Sequence, residues 1–280
     1  MLTLVQSLIG VLPYVQIPDF HIGPLPIHPF GVLVVIGILV GSKIASKRAQ
    51  LLHIDRQRFE SLIFWTVASG IVISHMLSTI FYFPRLLLEQ PWQLFMIHRG
   101  LSSFGGFFGA VAGFLFYTRK YKMPVWTCAD ALAYGLPFGW FFGRMGCSVV
   151  HDHPGHLSES FFAVAFPNGA RFDLGLLELM LTPILMTAVI LIGKRTKRPG
   201  AIITTVALVY PILRFPLDFL RAPVWDGGDI RYFGLTPGHY ASIILFSVGI
   251  FLWFRSRKAN QTLATTSQEI KRKKRNAKAK

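Results

Sequence analysis

Apolar residues recur along the chain in long runs, separated by short segments that carry basic residues, proline or glycine. An α-helix needs about 20 apolar residues to cross the hydrocarbon core of a bilayer, so each run is predicted to be a transmembrane helix. The chain contains seven such runs, at 30–47, 59–83, 103–119, 125–149, 174–193, 200–220 and 236–254. The pattern therefore predicts an all-α integral membrane protein with about seven transmembrane helices, forming one polytopic domain over residues 1–258.

Basic residues alternate between successive loops, which are rich in Lys and Arg after the first, third and fifth runs and poor in them elsewhere. Because cytoplasmic loops carry the excess of positive charge, the N-terminus is expected outside and the C-terminus in the cytoplasm. Ten of the 29 Lys and Arg lie from Arg255 onwards, and residues 259–280 are predicted to be a disordered basic tail that is attracted to anionic lipid. The net charge of +16 thus reflects membrane topology, and no nucleic-acid partner is expected.

Two arginines, Arg144 and Arg214, lie inside predicted membrane spans. A guanidinium at membrane depth costs several kcal/mol, so such a residue usually faces the interior of a helix bundle, has a partner and serves a function. The planar guanidinium fork also matches the oxygens of a phosphate group. The two arginines therefore indicate a binding site for an anionic headgroup.

Arg214 has polar neighbours at helical spacing. Tyr210 and Asp218 lie four residues before and after it, and Arg221 follows Asp218 by three, so all four share one helix face. One interpretation is an Arg214–Asp218 ion pair that only lets the helix insert into the membrane. The other is a substrate site, in which Asp218 orients Arg214 and Tyr210 offers a hydroxyl group.

A second polar cluster follows Arg144. Cys147 comes three residues later, and His151, Asp152 and His153 crowd the outer end of the same span. A His-x-His pair can bind zinc, but this cluster is short and interrupted by proline, with no clear further ligand, so no metal site is expected. Imidazole titrates near neutral pH, which favours a general base or acid at His151 or His153.

The start of the third predicted span offers a further anion site. Ser103, Gly105 and Gly106 lie at its outer end, where the backbone N–H groups of a helix start can receive an anion. Gly109 and Gly113 continue the four-residue spacing. Small residues at that spacing let helix backbones approach closely, so packing alone explains the last two glycines.

Six motifs occur in a fixed order and together cover nearly the whole chain. They are IGPLPIHPFGVLVVIG (22–37), LSSFGGFFGA (101–110), ADALAYGLPFGWFFGRMGC (129–147), RFDLGLLE (171–178), YPILRFPLDFLRAP (210–223) and FGLTPGHYASIILFSVGI (233–250). This ordered set resembles the prolipoprotein diacylglyceryl transferases. The third motif is similar to the run that leads into the family's Gly-Arg-x-Gly-Asn signature, and the fifth resembles its Tyr/Arg/Glu/Arg-Glu-Pro helix.

The resemblance implies an enzyme that transfers a diacylglyceryl unit from phosphatidylglycerol to the thiol of a lipobox cysteine in a preprolipoprotein, with release of glycerol phosphate. The implied place is the bacterial cytoplasmic (inner) membrane, and no cofactor is expected. If the roles of the matching family positions apply here, Arg144 and Arg214 would bind the phosphate. The residues implied to support the pocket are Tyr210, Asp218, Glu178 and Gly155. The other expected substrate-binding residues are Arg221, Ser103, Gly105, Gly106, Cys147 and Asp152.

Several positions depart from the family pattern. Phe104 stands where the family has a histidine before Gly-Gly, Phe30 replaces a tyrosine, and Cys147 replaces the asparagine of the signature. Phenylalanine cannot move a proton, so His151 or His153 is expected to act as the catalytic base instead. Three hypotheses stay open: a diacylglyceryl transferase, a same-fold enzyme that acts on a glycerophospholipid headgroup with another acceptor, and a non-catalytic phospholipid-binding membrane protein.

Overall fold

Seven α-helices make up most of the computed structural model, which describes residues 11–23, 25–82, 89–90, 92, 100–196 and 198–255. They are α1 (Pro29–Leu51), α2 (Arg56–Tyr82), α3 (Ser103–Lys120), α4 (Val125–Val150), α5 (Leu174–Arg195), α6 (Ala201–Asp218) and α7 (Pro237–Arg255). Each predicted apolar run coincides with one of these helices, so the prediction of a helical protein with about seven helices is confirmed.

Five helices in the described part of the chain are long and apolar enough to cross a membrane by length and composition alone: α1, α2, α5, α6 and α7. Charged residues and glycine lower the mean hydropathy of the other two. α3 ends with Arg119 and Lys120, and α4 contains Asp130 and Arg144. The orientation of the termini stays a prediction, and the predicted tail over 259–280 lies outside the described residues.

Short β-strands lie in two segments outside the helices. β1 (Phe20–Ile22) and β2 (Leu25–Ile27) form an antiparallel hairpin. β3 (Pro154–Leu157), β4 (Ala163–Phe166) and β5 (Gly169–Asp173) form an antiparallel sheet in the order β3–β5–β4. The sequence predicts only a loop over 151–173, because strands of four or five residues are too short to show a clear alternation. The sheet corrects that prediction, and it holds the residues that follow α4 beside the start of α5.

Contacts among the described residues divide them into two compact units, one within residues 11–41 and 133–255 and the other within residues 42–132. The first unit has an apolar core that joins α4, α5 and α6, formed by Ala133, Leu185, Val189, Ile202 and Val206. The second has a core formed by Ala45, Ala49, Ile54, Phe59, Leu62, Ile63, Tyr117, Met123, Cys128 and Ala131. Because one core joins α4, α5 and α6, the polar residues on these three helices can meet. The predicted single polytopic domain stays a prediction.

Candidate active site

A buried carboxylate on α5 links the two membrane-depth arginines. Glu178 Oε2 lies 2.8 Å from Nε of Arg144 on α4, and Glu178 Oε1 accepts a hydrogen bond from Nη1 of Arg214 on α6. All three side chains are largely buried. Two guanidinium groups that share one carboxylate lie in one site, as the hypothesis of a common anion-binding site requires.

The ion pairs continue from Arg214 to the end of α6. Asp218 Oδ1 accepts from Nη2 of Arg214 and from Nε of Arg221, each at 2.8 Å. Nη1 of Arg221 lies 3.0 Å from Oδ2 of Asp229, in the segment between α6 and α7. Three guanidinium groups thus alternate with three carboxylates, which offsets the desolvation of the buried cations. The structure contains the Arg214–Asp218 ion pair. This pair is part of a network of six charged side chains, which is larger than the single pair that would let one helix insert into the membrane.

The first turn of α7 approaches the Asp218 carboxylate closely. A Cβ atom added at Gly238 would lie 2.0 Å from Asp218 Oδ2, so only glycine fits at this position. The N-terminal end of a helix carries a partial positive charge that favours a carboxylate there. Next to Gly238, the His239 ring is fully buried, and its Nδ1 accepts from the Thr236 backbone N–H at 3.1 Å. Sequence reasoning did not identify Gly238, His239 or Asp229 as parts of this site.

Aromatic rings complete the side of the site next to Arg144. Its guanidinium lies over the Trp140 ring at 4.7 Å from the centroid, and Trp140 meets Tyr210 edge-on at 5.7 Å. A cavity of about 20 Å³, room for about one water molecule, adjoins these groups. Its lining is Trp140, Glu178, Leu181, Thr182, Leu185, Tyr210, Leu213, Arg214 and Leu217. Charged groups and leucines therefore line the same space.

His153, Asp152 and Cys147 lie together next to Arg144. One side-chain atom of each lies within 4.8 Å of those of the other two, and His153 Nε2 is 3.7 Å from Asp152 Oδ1. Nη1 of Arg144 is 3.9 Å from Cys147 Sγ. The three groups are of metal-binding type, but a neighbouring guanidinium opposes a cation there. The absence of a metal stays a prediction.

The pKa of His153 lies below its ordinary value, chiefly because burial disfavours the charged imidazolium. The positive charges of Arg144, Arg221 and Arg214 lower it further, while Asp152 raises it. Burial and the guanidinium groups therefore keep His153 neutral, which is the form that can accept a proton.

His151 has a different setting from His153. Its Nδ1 is 2.5 Å from Asp173 Oδ2, and its Nε2 is 3.2 Å from the Val15 carbonyl oxygen. The ring stacks on Tyr14, with centroids 4.2 Å apart. Asp173 in turn caps α5 by accepting from the Leu176 N–H, and burial raises its pKa. Both ring nitrogens of His151 have partners, so this residue ties the N-terminal segment to the start of α5.

The other predicted residues lie at the edges of the network or in the second unit. Gly155 forms a bridge with Arg221, and a Cβ there would lie 2.5 Å from the Leu220 carbonyl oxygen, so glycine lets β3 approach the end of α6. Ser103, Gly105 and Gly106 begin α3 in the unit of residues 42–132. The Gly105 N–H donates to Ser102 Oγ, and the Gly106 N–H donates to the Ser102 carbonyl oxygen. Because both backbone N–H groups already donate to Ser102, they argue against an anion site at Gly105 and Gly106.

Comparison with known proteins identifies the family of the chain. The model of the prolipoprotein diacylglyceryl transferase family matches residues 19–255. A phosphatidylglycerol–prolipoprotein diacylglyceryl transferase from Rhizobium leguminosarum bv. trifolii is 29% identical over 274 residues, 90% of this chain and 96% of the relative. Proteins of the same name from Idiomarina loihiensis and Rhizobium meliloti are each 30% identical, and cover 85% and 91% of this chain with 92% and 98% of their own lengths. The chain therefore belongs to the prolipoprotein diacylglyceryl transferase family, an integral membrane family.

Proposed function

We propose that this protein transfers a diacylglyceryl unit from phosphatidylglycerol to the cysteine thiol of a lipobox-bearing preprolipoprotein, in the bacterial cytoplasmic membrane. The observation that carries the proposal is the sharing of the Glu178 carboxylate by Arg144 and Arg214, which brings two phosphate-matching groups together on membrane-embedded helices. The relatives' names supply the identity of the phospholipid and of the acceptor.

The phosphate of the lipid would accept hydrogen bonds from guanidinium N–H groups, some of which bond to carboxylates in this structure. Each guanidinium carries five N–H donors, and the pairs with Glu178 and Asp218 use only some of those on Arg144 and Arg214. The cavity of about 20 Å³ is too small for a headgroup, so Glu178 must shift as the phosphate enters. Asp218, which Arg221 also contacts, then holds Arg214 in place, and the leucines of the cavity contact the glycerol backbone or acyl chains.

In the reaction, the thiol sulfur attacks the carbon of the diacylglyceryl unit that is bonded to a phosphate oxygen. A carbon–sulfur bond forms, the carbon–oxygen bond to phosphate breaks, and glycerol phosphate leaves with the electron pair. Arg144 and Arg214 hold the negative charge of this leaving group, which grows as the bond breaks. Fixed cations in a site with little water are effective at this task.

The thiol proton needs an acceptor, and His153 is the group proposed for this step. The His153 side chain lies next to Cys147, which in turn lies next to Arg144. Burial keeps the imidazole neutral, and the Asp152 carboxylate stabilises the imidazolium that forms when the ring takes up the proton. His151 is the less suitable of the two histidines, because its ring nitrogens already contact Asp173 and Val15.

The test is mass spectrometry of the purified protein incubated with phosphatidylglycerol and a lipobox peptide. The expected products are a diacylglyceryl-modified peptide and glycerol phosphate, with no modification of a peptide that has serine in place of the cysteine. Arg144→Lys and Arg214→Lys should lower the rate by about 100-fold, because a point charge does not reproduce the bidentate fork. Arg231→Lys is the matched control, since that exposed guanidinium donates to the backbone carbonyl oxygens of Phe219 and Arg221 and, among the described residues, to no side chain of the network.

Two other outcomes would replace the proposal. Release of glycerol phosphate without a modified peptide would show that the protein uses a different acceptor. Phe104 in place of the family histidine and Cys147 in place of asparagine are the sequence differences that motivate this measurement. Retention of phosphatidylglycerol with no product would identify a lipid-binding protein.

A further inference from the structure

A polar cavity lies between the C-terminal part of α1 and the N-terminal part of α2, in the unit of residues 42–132. Its volume is about 580 Å³, and it is open to solvent, since Lys43, Lys47 and Gln50 on its lining are exposed. The lining residues are Ser42, Lys43, Ser46, Lys47, Gln50, Arg56, Glu60 and Ile63. All belong to one unit, and none of them belongs to the ion-pair network of Arg144, Glu178 and Arg214.

Helical spacing places the lining residues of α1 on one face. The five positions from Ser42 to Gln50 recur at three- and four-residue intervals, so they form a single stripe that ends one residue before α1 does. Across the turn, Arg56 and Glu60 occupy the first turns of α2. The stripe presents hydroxyl, amide and ammonium groups to one space, which is unusual for a helix whose mean hydropathy is that of a membrane span.

The cavity carries an excess of positive charge. Arg56 and Glu60 neutralise each other, with Nε of the arginine 2.7 Å from the carboxylate. Lys43 and Lys47 form no salt bridge among the residues that the structure describes, so two ammonium charges remain available in the cavity. Ser46 and Ile63 are buried and form its inner surface, and Ser46 contributes a hydroxyl group there.

We infer that this cavity binds a glycerophosphate group, presented by an anionic phospholipid or as a free phosphate ester. Ammonium groups attract a phosphate, and the serine hydroxyls and the glutamine amide can bond its oxygens or a glycerol hydroxyl. The site lies beside the basic first loop, which is predicted to face the cytoplasm, where anionic lipid headgroups attract such segments. It is a second site on the chain and does not depend on the proposed transferase activity.

Native mass spectrometry of the detergent-solubilised protein measures this binding directly. The titrants are dioleoyl phosphatidylglycerol, dioleoyl phosphatidylcholine with the same chains but no net charge, and sn-glycerol 3-phosphate. Removing both ammonium groups in Lys43→Gln/Lys47→Gln should weaken one phosphatidylglycerol adduct about 30-fold, since each lysine contributes about a factor of five to such attraction. Lys120→Gln/Lys122→Gln is the matched control, because it removes two charges from another basic loop and should leave that adduct within about threefold of the wild type.

A third variant separates filling of the cavity from loss of charge. Ser42→Phe places a ring in the cavity at a half-buried position and keeps every charge, and it should also remove the adduct while the melting temperature stays near that of the wild type. Binding of sn-glycerol 3-phosphate with the same dependence on Lys43 and Lys47 would support the site and identify a soluble ester as its ligand. The inference is overturned by equal weakening in both double variants, or by phosphatidylglycerol binding that neither Lys43→Gln/Lys47→Gln nor Ser42→Phe changes.

Discussion

Replacing Gly238 by alanine should disconnect Asp218 from the two arginines that it holds. The added methyl carbon would lie 2.0 Å from Asp218 Oδ2, whereas ordinary contact begins near 3.4 Å, so the carboxylate must move by about 1.4 Å. Its bonds to Arg214 and Arg221 are 2.8 Å long, and a displacement of that size takes them beyond hydrogen-bonding distance. A charge-assisted hydrogen bond contributes about 1.5–3 kcal/mol, and breaking a buried ion pair costs about 3–5 kcal/mol.

The assay is kcat/KM for diacylglyceryl transfer together with the melting temperature of the detergent-solubilised protein. Because a misplacement of about 1 Å in a positioned group can lower a rate about 100-fold, Gly238→Ala is expected to lose about two orders of magnitude in kcat/KM and to melt earlier. Gly31→Ala is the matched control, since a Cβ at that helical glycine would meet no atom within 4 Å. If Gly238→Ala keeps both the rate and the melting temperature of the wild type, the proposed positioning of Arg214 by Asp218 is wrong.

Four further predictions concern His153, Asp152, His151 and the topology. His153→Ala should lower transfer about 100-fold, and in the wild type the rate should fall as the pH drops through a His153 pKa below 6.5, because only the neutral ring accepts a proton. Asp152→Asn removes the group that raises this pKa, so the acid limb of the pH–rate profile should move to lower pH; a limb that stays in place in Asp152→Asn would exclude His153 as the base. His151→Ala should destabilise the protein by about 1–3 kcal/mol and leave kcat nearly unchanged; loss of kcat at wild-type stability would reverse the roles given to the two histidines. Single cysteines introduced at 194–199 should react with an impermeant reagent only after the membrane is opened, and those at 222–232 should react from outside; equal labelling from outside would refute the predicted topology.

Local pattern was sufficient to predict the seven helices. Long apolar runs give helix positions directly, because in a bilayer every backbone N–H and C=O group must be satisfied within its own segment. Ion pairs at three- and four-residue spacing, Arg214–Asp218 and Asp218–Arg221, could be predicted for the same local reason. The three-stranded sheet of 151–173 could not, because its strands are short and pair across turns that hydrophobic periodicity does not reveal.

The two histidines show where sequence reasoning ends. His151 and His153 are two residues apart and chemically identical, and both were predicted to be candidate bases. Most of their surroundings come from segments far away in the chain: Tyr14, Val15 and Asp173 contact His151, and Arg214 and Arg221 lower the pKa of His153. Burial and charge from these segments distinguish the roles proposed for the two rings.

The sequence by itself thus established a helical membrane protein, two arginines within its membrane spans and the motifs of its family. Each of these features depends only on residues that are close together along the chain. The meeting of Arg144 and Arg214 at Glu178 depended on tertiary packing, because these residues are 34 and 36 positions from the glutamate. The approach of Gly238 to Asp218 likewise joins the first turn of α7 to the end of α6. Contacts between helices are set by how whole side-chain surfaces fit together, which no local spacing of residues encodes.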